Sequence, residues 1–157
     1  MLILCLSSHG CSSRRAGAAE LVNHKASLRG DLPFNPLQWR VISSSVNARE
    51  SSASILYGND IAVRHARADP RRPYPAGSVI SLVTWAEEED PHWFGAKTPG
   101  EVKSIEFVTA EESQGLAPAY SYQLYEGSPL KKTTAEGVSA PDARIGDLLS
   151  RRALVMP

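Results

Sequence analysis

From Leu37 onward apolar and polar residues alternate, with Leu37, Trp39 and Val41 on one side and Gln38 and Arg40 on the other. That is the period-two signature of a half-buried strand. Ser51 to Tyr57 repeats it through Ala53, Ile55 and Tyr57, and Asn47-Ala48-Arg49-Glu50 between them supplies a turn, so the two segments predict an antiparallel hairpin. At Gly58-Asn59-Asp60 the period changes. The Asn59 side chain can accept from an orphan N–H of a first helical turn, and Asp60 complements the helix dipole, which predicts a short helix over 60–68. Asp69-Pro70 ends it, because proline disfavours helical geometry in the residue before it. Pro73, Pro75 and Gly77 bracket a tight turn into Ser78 to Trp85, whose near-continuous run of Val79, Ile80, Leu82, Val83 and Trp85 suits a central strand covered on both faces. Val102 to Thr109 is another strand. Tyr120 to Tyr125 is a further one, with Tyr120, Tyr122 and Leu124 on one face. Pro141 to Val155 reads as helix, with Ile145, Leu148, Leu149, Arg152 and Val155 at three- and four-residue spacings and a proline suited to the first turn.

These elements predict an α+β domain, an antiparallel sheet of about five strands with two helices packed on one face. There are no internal repeats and no heptads. At 157 residues, 42% hydrophobic and 22% charged, the chain is one domain able to bury a core without metals or disulfides. Lys plus Arg and Asp plus Glu number 17 each, so no net field points to nucleic acid. No apolar run approaches the length of a transmembrane helix.

Residues 1–19 read as a signal or leader segment, from the apolar Met1-Leu2-Ile3-Leu4-Cys5-Leu6 and the small-residue run Ala16-Gly17-Ala18. Residues 20–31 read as a linker or loosely ordered arm, and 32–157 as the domain. The expected location is therefore periplasmic or otherwise exported. Lipid anchoring at Cys11 is disfavoured, because Ser8 stands where a lipoprotein signal carries a branched aliphatic residue. Both cysteines, Cys5 and Cys11, fall in the leader. Its removal leaves no thiol for a disulfide, a thiolate-based zinc site or a nucleophile.

Glu87-Glu88-Glu89-Asp90-Pro91-His92 is the most suggestive segment chemically, since carboxylates beside an imidazole can hold a divalent cation or form an acid–base pair. Neighbours in an extended chain point to opposite faces, so a solvated loop is the preferred reading. Trp93 and Phe94 are expected to fold back onto the core as a clamp, with the wall of a ligand pocket as the alternative. His92 is the best single candidate for a metal or haem ligand. His65, between Arg64 and Arg67 in sequence, reads as a surface residue. Glu106 lies between Ile105 and Phe107, so its carboxylate faces away from both and under the helix layer, where it needs an arginine partner; Arg40 and Arg64 are the candidates. Tyr122 reads first as sheet packing, with a hydroxyl able to position a ligand. His92, Trp93, Phe94, Glu106 and Tyr122 are thus the ligand-pocket candidates. Dinucleotide, phosphate-loop, nucleophile-elbow and zinc-protease motifs are absent.

Tyr74-Pro75-Ala76-Gly77-Ser78-Val79-Ile80, running through Val83-Thr84-Trp85 into Glu88-Glu89-Asp90-Pro91-His92-Trp93-Phe94-Gly95-Ala96, resembles the cytochrome P-460 family of small exported bacterial haem proteins. Tyr57-Gly58-Asn59-Asp60-Ile61-Ala62 and Val102-Lys103-Ser104-Ile105-Glu106-Phe107 extend the likeness over roughly Leu37 to Tyr125. The resemblance implies an antiparallel sheet with packed helices, often paired as a homodimer, and a c-type haem used to oxidise hydroxylamine or to bind small gases. That haem is attached through Cys-x-x-Cys-His, a run that does not occur in these 157 residues. The expectation is a haem-less relative that binds a small molecule or acts as an interaction module, and an oxidoreductase only if haem is bound. The alternatives are a redox enzyme or gas sensor with noncovalent haem on His92 or His65, and a structural protein working through a dimer face.

Overall fold

The structure is a computed structural model that describes residues 22–68, 72–115, 118–133 and 141–154. The leader, both cysteines and Asp69-Pro70 lie outside the described residues. Six strands form one antiparallel sheet in chain order: β1 (Arg40–Asn47), β2 (Ser52–Gly58), β3 (Val79–Glu89), β4 (Lys97–Glu111), β5 (Ala119–Glu126) and β6 (Lys131–Lys132). Helix α1 (Asp60–Ala68) joins β2 to β3, and α2 (Pro141–Ser150) follows β6. The α+β class and the helix-packed antiparallel sheet agree with the sequence pattern. The sixth strand has only two residues, too few to show a period.

Both sheet faces are buried, by different means. On one, Ala62, Val63 and Ala66 of α1 and Ile145 and Leu148 of α2 pack on Ile42, Leu56, Ile80, Leu82, Val108 and Ala110. On the other, Val79, Val83, Trp85, Ile105, Phe107 and Tyr125 are covered by Ala26, Leu28, Leu32 and Trp39. The alternation of β3 and β4 between these two cores explains why their sequences are apolar at successive positions. Part of the segment read as a loose arm is therefore pinned: the Trp85 indole donates to Ala26 O at 3.0 Å, and Leu130 N donates to Arg29 O at 2.7 Å. Gly30 passes so close to Leu130 that any Cβ there would meet the Leu130 carbonyl.

Helix α1 begins as its cap predicts. Asn59 Oδ1 accepts from Ala62 N at 3.0 Å, while the Asn59 backbone N–H donates to Val79 O at 3.0 Å, fixing the helix start to the start of β3. The turn before β3 closes through Ser78 N to Pro75 O at 3.1 Å.

Three expectations are corrected. Leu37, Trp39 and Val41 do not share a strand face: Pro36–Gln38 forms a 3-10 turn capped by Asn35, Leu37 and Val41 are exposed, and Trp39 packs on the arm side. A β-bulge between Val41 and Ser43 then shifts the parity and sends Ile42 into the helix-side core. Ile42 comes so near β2 that a Cβ on Gly58 would lie 2.7 Å from its Cδ1. Helix α2 stops at Ser150, because the chain leaves the sheet face there and Leu154 N donates to Ile42 O at 2.7 Å on the β1 edge; Val155 lies outside the described residues. Arg152 is consequently exposed and belongs to no helical stripe.

Candidate functional site

Strand parity places Glu106 on the helix side of β4, opposite Leu82 on β3 and Leu124 on β5. Only 5% of the residue is exposed. A carboxylate that deep requires both oxygens to be bonded, and three donors reach it. Arg144 on α2 donates through Nη2 to Oε1 at 2.6 Å and through Nε to Oε2 at 2.7 Å, a two-pronged pairing. The Tyr122 hydroxyl donates to Oε2 at 2.7 Å. Tyr122 pairs with Val108 on β4, so it stands diagonally across from Glu106, within reach of a long side chain.

The network continues outward along α2. Arg144 Nη1 donates to Asp147 Oδ2 at 2.9 Å, and Arg151 Nη2 donates to the same oxygen at 3.2 Å. Two carboxylates and two guanidiniums balance, so the cluster carries no net charge. Burial, and then the hydrogen bond to the Glu106 carboxylate, push the Tyr122 phenol well above its ordinary range. The Glu106 hydrogen bonds likewise hold the Arg144 guanidinium charged. Tyr122 is therefore a fixed neutral phenol and not a base. Its ring wall is where the site opens: a cavity of about 350 Å³ between β5, β6 and the start of α2 has Tyr120, Tyr122, Leu124, Lys132, Asp142 and Ile145 among its lining residues.

The other candidates do not join this cluster. Glu87, Glu88 and Glu89 belong to β3, where they pair with Pro99, Thr98 and Lys97, so β3 and β4 run on as a hairpin past the last β2–β3 pair, Ser52 with Ala86. Asp90 closes the tip by accepting from His92 N at 2.7 Å and Trp93 N at 3.1 Å. His92 is exposed, Trp93 is 72% exposed and Phe94 is wholly in solvent, so the expected fold-back onto the core does not occur. The Asx-type bonds of Asp90 and the left-handed Gly95 hold the tip compactly without the aromatic rings. From Lys97 to Glu106 lie nine residues of β4, roughly 30 Å of strand. Neither Arg40 nor Arg64 pairs with Glu106. The partner is Arg144, and the available signal was its place four residues before Leu148, on the border of the α2 apolar stripe.

Haem needs an axial ligand facing a cavity wide enough for the ring. Among the described residues, the 350 Å³ cavity and one of about 540 Å³ under the arm, around Leu28, Leu32 and Phe34, have no histidine or cysteine in their walls. His65 is engaged at Nε2 with Arg72 O at 2.9 Å and packs on Tyr74 at 4.6 Å. His24 faces a cleft of only about 190 Å³. Neither of those two cavities therefore offers a haem an axial ligand, and among the described residues no group of three or more His, Cys, Asp or Glu is placed to hold a metal ion. No described helix is long and apolar enough to cross a membrane.

A sequence model of the family described as cytochrome P460 matches residues 37–140, about two thirds of the chain. No curated protein matches it.

Proposed function

Because the chain belongs to the cytochrome P460 family, we propose that it uses the family's sheet-and-helix frame as an exported, haem-less module that binds a small molecule in the cavity between β5 and α2. The observation that carries this reading is the pairing of that cavity with a rigid polar wall: Tyr122, locked by Glu106 and Arg144, borders a space whose apolar walls are Tyr120, Leu124 and Ile145 and whose rim carries Lys132 and Asp142. A mostly apolar pocket with a few fixed polar groups is the usual form of a small-molecule site. Export rests on the apolar leader-like start of the sequence.

The test has two stages on the full chain expressed with haem supplied. An absorption spectrum and metal analysis should show colourless, metal-free protein; a stoichiometric Soret band would favour the redox or gas-sensing alternative instead. A fragment screen by nuclear magnetic resonance should then give saturable shifts at the amides of Tyr120, Leu124 and Ile145. Fragments that bind with no response at those amides would move the site elsewhere. One observation favours a second reading, a protein that self-associates: Trp93 and Phe94 are held out in solvent at a hairpin tip. Sedimentation of wild type against Trp93→Ser/Phe94→Ser separates the two, since the ligand-binding reading expects no change in mass.

A further inference from the structure

On the opposite sheet face, away from α2, the arm and the sheet enclose a cleft of about 190 Å³ whose walls include His24, Lys25, Arg29, Glu101, Val102 and Ser128. Lys25 is spoken for, being paired with Glu88 at 3.0 Å. Arg29 and Glu101 are not: among the described residues neither side chain has a hydrogen bond or an ion pair, although they carry opposite charges and share one cleft. Both are exposed, so among the described residues the cleft presents an unpaired cation and an unpaired anion to a ligand.

The backbone is fixed at both residues. Leu130 N grips Arg29 O at 2.7 Å, and the Gly30–Leu130 bridge fixes the next residue. On β4 the register advances from Ser104 opposite Thr84 to Val102 opposite Trp85, and then to Pro99 opposite Glu87, so an extra residue is inserted on each side of Val102. Bulges of this kind re-aim side chains, and these two set the direction of Glu101.

We propose that this cleft is a second binding site, for a small zwitterion of the amino-acid class. Its carboxylate lies on Arg29 beside His24, its ammonium lies on Glu101, and its short apolar body lies against Val102 and Leu130. Ser27 and Ser128, which also line the cleft, add neutral hydrogen-bonding groups. About 190 Å³ has room for a small amino acid such as alanine and not for drug-sized molecules, which need several hundred Å³. A purely anionic ligand meets the unpaired Glu101 carboxylate, and a purely cationic one meets Arg29. Only a ligand with both charges satisfies both walls. Because the charged walls are exposed, the expected dissociation constant is roughly millimolar.

The test is a titration of isotope-labelled full chain with L-alanine, acetate and ethylammonium, followed at the amides of Arg29, Glu101, Val102 and Ser128. Alanine should saturate these shifts with a dissociation constant at least about fivefold below those of the two single-charge probes. Arg29→Gln and Glu101→Gln, both at exposed positions, should each weaken alanine about three- to fivefold and abolish the preference over one of the single-charge probes. Absence of saturable shifts with alanine overturns the proposal. So does acetate binding as well as alanine, or unchanged affinity in both variants.

Discussion

Two regions of this molecule carry polar and aromatic residues of the kind that mark a site, and they use them in opposite ways. At the β3–β4 hairpin tip, His92, Trp93 and Phe94 are adjacent in sequence and none is buried. On the helix side of the sheet, Glu106, Tyr122 and Arg144 are separated by 16 and 38 residues, as reckoned from Glu106, and meet within 2.7 Å. Nearness in sequence produced no convergence, because consecutive residues in extended chain diverge. The sheet register and the docking of α2 brought the distant residues together.

The largest effect that would sharpen this contrast comes from α2. Arg144→Ala leaves a buried carboxylate with only Tyr122 to bond it, and breaking one side of such a pair costs about 3–5 kcal/mol when both partners are buried. Arg144 is 36% exposed at its side chain, so water compensates part of the loss and roughly 2–3 kcal/mol is expected by urea denaturation. Replacing both charges at once, with Glu106→Leu and Arg144→Met, should recover most of that stability, since the isolated charge is then gone. A double variant no more stable than Arg144→Ala would mean that the pair itself, and not relief of an unpaired charge, holds α2 down.

Tyr122→Phe is the next step down. It removes one donor to a carboxylate that keeps both Arg144 bonds, so about 1–2 kcal/mol is expected. The same variant has a pH signature. Burial and Glu106 raise the Tyr122 phenol above its ordinary value of 10.0, so its contribution is complete below about pH 10 and is lost as pH rises towards the folded-state value. Denaturation midpoints of wild type should therefore fall as pH rises above about 10. In Tyr122→Phe the fall should be shallower, though not absent, because Tyr57, Tyr74, Tyr120 and Tyr125 are also raised by burial. Parallel curves for the two proteins would remove Tyr122 from this account.

Much of the fold is legible in the sequence because its signals are local. The Asn59 cap, the helix over 60–68, the apolar run of β3 and the alternation of Tyr120, Tyr122 and Leu124 each depend on a few neighbouring residues. The parity of Glu106 is legible for the same reason. What is not legible depends on through-space geometry. The bulge that buries Ile42 inserts one residue without any glycine or proline to announce it. Arg144 is one of several arginines, and only the placement of α2 over β4 and β5 selects it above Arg40 and Arg64. The tip aromatics mislead for a related reason, since hydrophobic composition predicts burial only where the backbone returns to the core.

The smallest effect belongs to that tip, and it isolates the comparison most cleanly. His92→Ala removes a side chain that accepts and donates nothing among the described residues, while the bonds from Asp90 go to backbone N–H groups that any residue supplies. Phe94→Ser uncovers no apolar surface and Trp93→Ser very little, because Phe94 is wholly in solvent and Trp93 is 72% exposed. Each change should alter stability by less than about 0.5 kcal/mol, the range of ordinary surface substitutions. Asp90→Ala should cost more than any of the three, since it unties two turn N–H groups at once, but still only about 0.5–1 kcal/mol because water replaces those bonds at an exposed tip. Denaturation midpoints of the four variants give the order directly. If Phe94→Ser or Trp93→Ser proved more damaging than Asp90→Ala, the rings would have to be covered in solution, and a second copy of the chain would be the first partner to test by repeating the measurement across protein concentration.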